Sequence, residues 1–134
     1  MKEEECVPLS PIKMIKQIYV VEDDQDIRQI IEFILEEEGY QVTLFPDVTS
    51  FQAVMADDRP DLYLLDVMLP DGNGLELCRE IRTNQKIKDI PIIVMSAHAR
   101  PENIFGQCSA NDFISKPFDL NEILYKIKKQ ITLH

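Results

Sequence analysis

Apolar positions along this chain fall into short runs, and the segments between several of them repeat their apolar residues at helical spacing. QIYVV (17 to 21) is β-branched and aromatic and predicts a strand. The next segment places Ile27, Ile30, Ile31, Ile34 and Leu35 on one helical stripe, ended by Gly39. YQVTLF (40 to 45) alternates as a strand does, TSFQAVMADD (49 to 58) predicts a shorter helix, and DLYLLD (61 to 66) is an apolar run that follows Pro60 and stops on an acid. LPDGNG (69 to 74) has loop chemistry, and the helix predicted around ELCREIR (76 to 82) offers Leu75, Leu77, Cys78 and Ile81 for burial. PIIVMS (91 to 96) and DFIS (112 to 115) predict two further strands. DLNEILYKIKKQI (119 to 131) opens with Asp119 and Glu122 at capping-box spacing and carries Leu120, Ile123, Leu124, Ile127 and Ile131 on one stripe. Residues 101 to 110 predict only a poorly defined helix, because Gly106 and Ser109 interrupt the pattern. Residues 1 to 15 hold Pro8, Pro11 and little periodicity, so they read as a flexible arm ahead of a domain spanning 16 to 134.

Five strands alternating with helices require crossovers, and crossovers of one hand cover both faces of a parallel sheet. The expected fold is therefore α/β, a doubly wound five-stranded parallel sheet of the flavodoxin-like kind, with strand order 2-1-3-4-5. A chain of 134 residues, 45% of them hydrophobic, suffices for one such domain. The net charge of −10 repels phosphate backbones and anionic membrane surfaces, which disfavours direct nucleic-acid or membrane binding and favours protein partners. Cys6, Cys78 and Cys108 are odd in number and lack CxxC spacing, so they read as structural thiols in a reducing compartment rather than as a disulfide framework. No apolar stretch approaches membrane-spanning length and the first residues lack the apolar centre of a secretory signal, so a cytoplasmic location is expected.

Ligands of doubly wound sheets bind beyond the carboxyl ends of the strands, where strand order reverses. The polar residues there are Glu22 and Asp23 after the first strand, Asp66 after the third, Ser96 after the fourth and Lys116 after the fifth. Three carboxylates converging beside one another would raise each other's pKa unless a hard dication shared them. Mg²⁺ suits three acids with no nearby histidine or thiol, since it takes few carboxylates, retains water and usually meets phosphate oxygens. A hydroxyl and an ammonium beside it are what the remaining oxygens of a phosphoryl group require, which makes Asp66 readable as a carboxylate nucleophile.

With these residues in view, the chain resembles the receiver domains of two-component response regulators. VVEDD, LLDVMLPDGNG, PIIVMSA and DFISKPF resemble the family's four signature blocks, in order, across roughly residues 17 to 132. The resemblance implies that Asp66 accepts phosphate from a sensor histidine kinase or a histidine phosphotransfer protein. It implies that Asp23 binds Mg²⁺ directly, that Glu22 assists, and that the Met68 backbone carbonyl is a further ligand. By the same resemblance Ser96 contacts the phosphoryl group, Lys116 is the family's lysine, Phe113 is the aromatic that turns inward on activation, and the Lys116–Pro117 bond is cis. His98 stands where the family varies a residue near the phosphate, and by itself reads as an exposed histidine.

The pattern departs from the family in two places. Ser96 and Lys116 are a residue or two closer than the family leads one to expect, and Ser109-Ala110 replaces a usual Gly-Ala pair. Both fall in the poorly defined helix, so a phosphorylation-independent interaction module of the same fold stands as the alternative function. A Mg²⁺-dependent aspartate phosphatase is a weaker competitor, since such enzymes carry a second acid two residues after the nucleophile, where this chain has Met68. The chain ends at His134, just after the last helix, which fits a receiver standing alone or one separated from an output domain. Within VVEDDQDI the four acids divide by position: Glu22 and Asp23 end the strand, while Asp24 is the expected N-cap and Asp26 lies in the first turn of the helix.

Overall fold

Residues 15–97, 106 and 108–133 are described by a computed structural model. Their strands and helices alternate as β1 (Gln17–Val21), α1 (Gln25–Glu37), β2 (Gln41–Phe45), α2 (Val48–Met55), β3 (Leu62–Asp66), β4 (Met68–Leu69), β5 (Gly72–Asn73), α3 (Gly74–Thr83), β6 (Ile92–Ser96), β7 (Asp112–Ser115) and α4 (Leu120–Leu133). Five strands form one parallel sheet in the order β2-β1-β3-β6-β7, which is the expected 2-1-3-4-5 once the small β4–β5 pair is set aside. That pair is a correction to the sequence reading: LPDGNG was expected as loop, but Met68 pairs antiparallel with Asn73 and Leu69 with Gly72. The expected arm falls on residues outside those described, apart from Ile15, as do His98, Cys6 and most of the poorly defined helix at 101 to 110.

Alternation along the strands divides the core in two, because successive strand side chains point to opposite faces. Ile18, Val20, Leu62, Leu64, Ile93, Met95 and Ile114 face α1 and α4, where Ile31, Leu35, Ile123 and Ile127 meet them. Tyr19, Val21, Tyr63, Leu65, Val94 and Phe113 face the other way, onto Phe51 of α2 and Leu77, Cys78 and Ile81 of α3. On this second side Tyr19, Phe45, Phe51 and Tyr63 pack with centroids 5.2 to 6.3 Å apart and three of their four contacts edge to face, the geometry that ring quadrupoles favour. Every residue of β3 and β6 is buried, as expected for central strands of a sheet covered on both faces.

Local chemistry sets the helix ends. Asp24 caps α1 as expected, its Oδ1 accepting the N–H groups of Asp26 and Ile27. At the other end Gly39 has φ 91°, and the N–H of Tyr40 reaches back to the carbonyl of Leu35, so the first chain reversal is a Schellman turn that needs glycine. Asp119 Oδ1 accepts the Asn121 N–H at the start of α4. The α1 stripe is narrower than its spacing suggested: Ile31 and Leu35 are buried, but Ile30 is exposed.

The cysteines bring a second correction. Cys78 on α3 and Cys108 ahead of β7 are disulfide-bonded, with Cα atoms 6.1 Å apart, within the range a disulfide requires. They are 30 residues apart in sequence, and only the packing of α3 against the segment that enters β7 brings them together. Sequence spacing carries no trace of that proximity.

Gly74, the first residue of α3, is where the fold most directly shapes the end of β3. Its N–H donates to the Val67 carbonyl (2.9 Å), and a Cβ there would lie 2.0 Å from the Asp66 carbonyl oxygen. Gly74→Ala is therefore expected to displace the end of β3 and to destabilise the domain by roughly 2–3 kcal/mol, read as a lower urea midpoint with an unchanged slope.

Candidate functional site

The carboxyl ends of β1, β3 and β7 meet around a crevice of about 240 Å³ lined by Glu22, Asp23, Asp24, Ile27, Asp66, Met68, Ala97 and Lys116. Parallel β1–β3 pairing aligns Val21 with Leu65, so Glu22, just past β1, and Asp66, the last residue of β3, emerge side by side. One carboxylate oxygen each from Glu22, Asp23 and Asp66 lies within 4.8 Å of the others. Glu22 is fully buried, Asp66 is 4% exposed and Asp23 is open to solvent. Glu22 and Asp23 join Asp66 at the strand ends, while Asp24, which also borders the crevice, caps α1 and Asp26 lies in its first turn.

Lys116, just past β7, joins the group from the far edge of the sheet. Its Nζ donates to Glu22 Oε1 at 2.6 Å and to Asp66 Oδ2 at 2.9 Å, and its own backbone N–H donates to the Ser96 carbonyl. The Lys116–Pro117 bond is cis. Burial pulls the lysine pKa down, but hydrogen bonds and attraction from the two carboxylates outweigh it and leave it raised, so the ammonium is charged. Burial acts the other way on Glu22, pushing it up to about 7 against the lowering effects of Lys116 and of the Asp24 N–H that donates to Oε2.

Ser96 ends β6 with 2% of its surface exposed, beside Ser115 in the β6–β7 register. Met68 borders the crevice and its N–H donates to Asp66 Oδ1 at 3.3 Å. Phe113 is buried on the α2 and α3 side of the sheet, with Val94 as its strand neighbour. The structure thus gathers Glu22, Asp23, Asp66, Met68 and Lys116 around one crevice, with Ser96 at the adjoining strand end and Phe113 within the core behind it.

Three supporting residues escaped the sequence reading. Arg28, on the first turns of α1, donates from Nη1 to the carbonyls of Glu22 (2.8 Å) and Asp23 (2.9 Å), bracing the loop that carries both acids. Asp71, in the β4–β5 turn, accepts the N–H groups of Val48 and Thr49 and the Thr49 hydroxyl, which fastens the loop after Asp66 to the start of α2. These bonds hold the Asp71 carboxyl below its usual range, the Thr49 hydroxyl contributing most. Gly74 is the third, through its contact with the Asp66 carbonyl. An arginine five residues after Asp23 was the available signal for the first; Asp71 and Gly74 were visible only as turn residues.

Three carboxylates in a small cleft offer oxygens that could hold a hard dication, and the Lys116 ammonium beside them can donate to an oxyanion. The transcriptional regulatory protein GltR of Pseudomonas aeruginosa is 36% identical over 115 residues, 84% of this chain and 48% of that protein, so the chain spans about half the length of this curated relative. The receiver domain of a signal transduction histidine kinase from Syntrophus aciditrophicus superposes with a TM-score of 0.81 at 28% identity, covering 87% of this chain and 90% of that one. The receiver domain of a sensor histidine kinase from Pseudomonas aeruginosa PAO1, with a magnesium ion coordinated in its active-site cleft, superposes with a TM-score of 0.80 at 31% identity, covering 88% and 98%. The family profile described as the response regulator receiver domain matches residues 18–128, and the chain belongs to that family.

Proposed function

We propose that this domain, extending over residues 16 to 134, is a phosphorylation switch in which Asp66 accepts a phosphoryl group from a sensor histidine kinase or a histidine phosphotransfer protein. The observation that carries this reading is the Lys116 ammonium held between Glu22 and the nearly buried Asp66, at the mouth of a cleft with a third carboxylate. Asp66 Oδ attacks phosphorus as the P–N bond of the phosphohistidine breaks; the phosphoryl group ends on the aspartate and the departing imidazole takes up a proton. Lys116, already 2.9 Å from Asp66 Oδ2, is positioned to donate to a phosphoryl oxygen, and the Ser96 hydroxyl donates to another. Glu22, Asp23, Asp66 and the Met68 carbonyl would hold Mg²⁺, which when bound supplies neutralisation of the charge gathered on the transferring group. Movement at Ser96 and Phe113 then passes the change to a surface read by a protein partner. The domain acts as a phosphoryl acceptor rather than as a turnover enzyme, in the cytoplasm. Among the described residues no helix is long and apolar enough to cross a membrane.

Incubation with a small-molecule phosphodonor and Mg²⁺ is expected to add one phosphoryl group by mass, and Asp66→Asn is expected to abolish the gain. A gain that persists in Asp66→Asn, or its absence in the parent chain, would overturn the assignment. Asp23→Asn is expected to weaken Mg²⁺ binding, followed by isothermal titration, by at least about tenfold, because even losing a supporting residue commonly costs that much. Asp26→Asn should leave Mg²⁺ affinity unchanged and lower helix stability by about a few tenths of a kcal/mol.

Glu22 gives a pH signature. Its carboxyl is raised from 4.5 to about 7 by burial, so between those values the folded chain holds a proton that the unfolded chain releases. Its contribution is most favourable below the unfolded value and declines as pH rises through the window. Without divalent cations, urea unfolding is expected to show stability falling by on the order of 2 kcal/mol between about pH 5 and about pH 7.5. Glu22→Gln should flatten that slope, and added Mg²⁺ should restore stability at the higher pH.

A further inference from the structure

We infer that Cys78 and Cys108 are a reversible dithiol–disulfide couple, a redox modification site that fastens α3 to the segment leading into β7. The site is separate from the acidic crevice and independent of the phosphoryl chemistry proposed for it. Its two Cα atoms are 6.1 Å apart across 30 residues of sequence, inside the range that a disulfide spans. Both side chains belong to the apolar cluster that also contains Ile81, Val94 and Phe113. Thiols in such surroundings pack as small hydrophobes, so the reduced form leaves no buried polar group wanting a partner and the fold does not depend on the bond.

Arg82 keeps the couple aligned in either state. It stands one turn beyond Cys78 on the same helix, and its Nε donates to the Ser109 carbonyl at 2.8 Å while Nη2 donates to Asn111 Oδ1 at 2.7 Å. Nη1 donates to the carbonyls of Lys88 and Ile90, so the guanidinium grips both the loop before β6 and the segment before β7. Asn111 in turn accepts the Ile92 N–H through Oδ1 and donates its own N–H to the Ile92 carbonyl. Reduction therefore removes the covalent attachment between α3 and this segment while the Arg82 hydrogen bonds remain, and it leaves the thiols facing each other, which makes closure of the bond intramolecular.

The oxidant is a low-molecular-weight disulfide of the glutathione class. Cys108 keeps 7% of its surface exposed and Cys78 none, so Cys108 reacts first. Its thiol loses a proton and the sulfur attacks one sulfur of the small disulfide; that S–S bond breaks, and the released thiolate takes up a proton. Cys78 then displaces the second small thiol from Cys108 in the same way. Two electrons and two hydrogens pass from the protein thiols to the small disulfide, giving one protein disulfide and two small thiols; excess small thiol reverses both steps. The consequence falls on β7, since Cys108 and Phe113 share a cluster and the segment between them is the part the bond ties to α3.

The full chain is incubated natively in oxidised or reduced glutathione, quenched with acid, denatured and alkylated with N-ethylmaleimide, with Cys6 as internal control. Mass spectrometry is expected to find label on Cys6 alone after oxidation, with the peptides of Cys78 and Cys108 joined, and label on all three cysteines after native reduction. The reduced chain is expected to melt in one cooperative transition, roughly 5 °C or more below the oxidised chain. Exchange of the Asn111 amide should accelerate several-fold on reduction, and Cys108→Ser, at the less buried position, should reproduce that rate in both buffers. Three labels after oxidation, a bond involving Cys6, a stable glutathione adduct, a bond that resists native reduction, an unfolded reduced chain or unchanged Asn111 exchange would each overturn the inference.

Discussion

The ammonium of Lys116 stands between two carboxylates that sequence distance and burial would otherwise keep apart. Glu22 is fully buried and Asp66 nearly so, and they stand at the ends of different strands. Placing two like charges in a low-dielectric crevice carries a desolvation cost that only a well-placed opposite charge offsets. At 2.6 and 2.9 Å, Lys116 supplies it, and thereby links the ends of β1, β3 and β7 across the sheet. Removing it would leave Glu22 and Asp66 buried without a counter-charge, and the raised Glu22 pKa shows how the molecule meets even the present imbalance: the acid tends toward its neutral form.

The rest of the fold reads as the means of holding those ends still. β3 and β6 are buried along their whole length, so the strand that delivers Asp66 is fixed from both faces. Gly74 lets α3 begin against the Asp66 carbonyl, Asp71 binds the following turn to α2, and Arg28 clasps the carbonyls of Glu22 and Asp23. Each brace acts on backbone. The carboxylate oxygens are thus left for Lys116, for the N–H groups of Asp24 and Met68, and for the open side of the crevice.

The strands and the acidic crevice were legible in the sequence because both depend on local order. A five-residue apolar run in a covered parallel sheet needs no partner to identify it, and an acid directly after such a run lies at its carboxyl end wherever the strand sits. What escaped depends on contacts between segments distant in sequence. Cys78 and Cys108 are ordinary buried-type residues until α3 meets the segment before β7, and the β4–β5 pair is four residues of turn chemistry until Met68 finds Asn73. Ile30 failed for a related reason: helical spacing defines a stripe, but the neighbouring elements decide how much of it is covered, and here they bury Ile31 and Leu35 and leave Ile30 exposed.

Charge balance in the crevice also bears on what can enter it. Three carboxylates against one ammonium leave it negative, so an incoming phosphoryl group meets repulsion from the acids beside the one that would receive it. A dication held by these acids would remove that excess, and Lys116 Nζ, 2.9 Å from Asp66 Oδ2, offers a hydrogen-bond donor beside it. A single additional ammonium from a partner could offset one charge only, and a soft metal would find neither thiol nor imidazole among the three acids that could hold it. On charge alone, an oxyanion would therefore approach Asp66 more readily with a small hard cation in the crevice than without one.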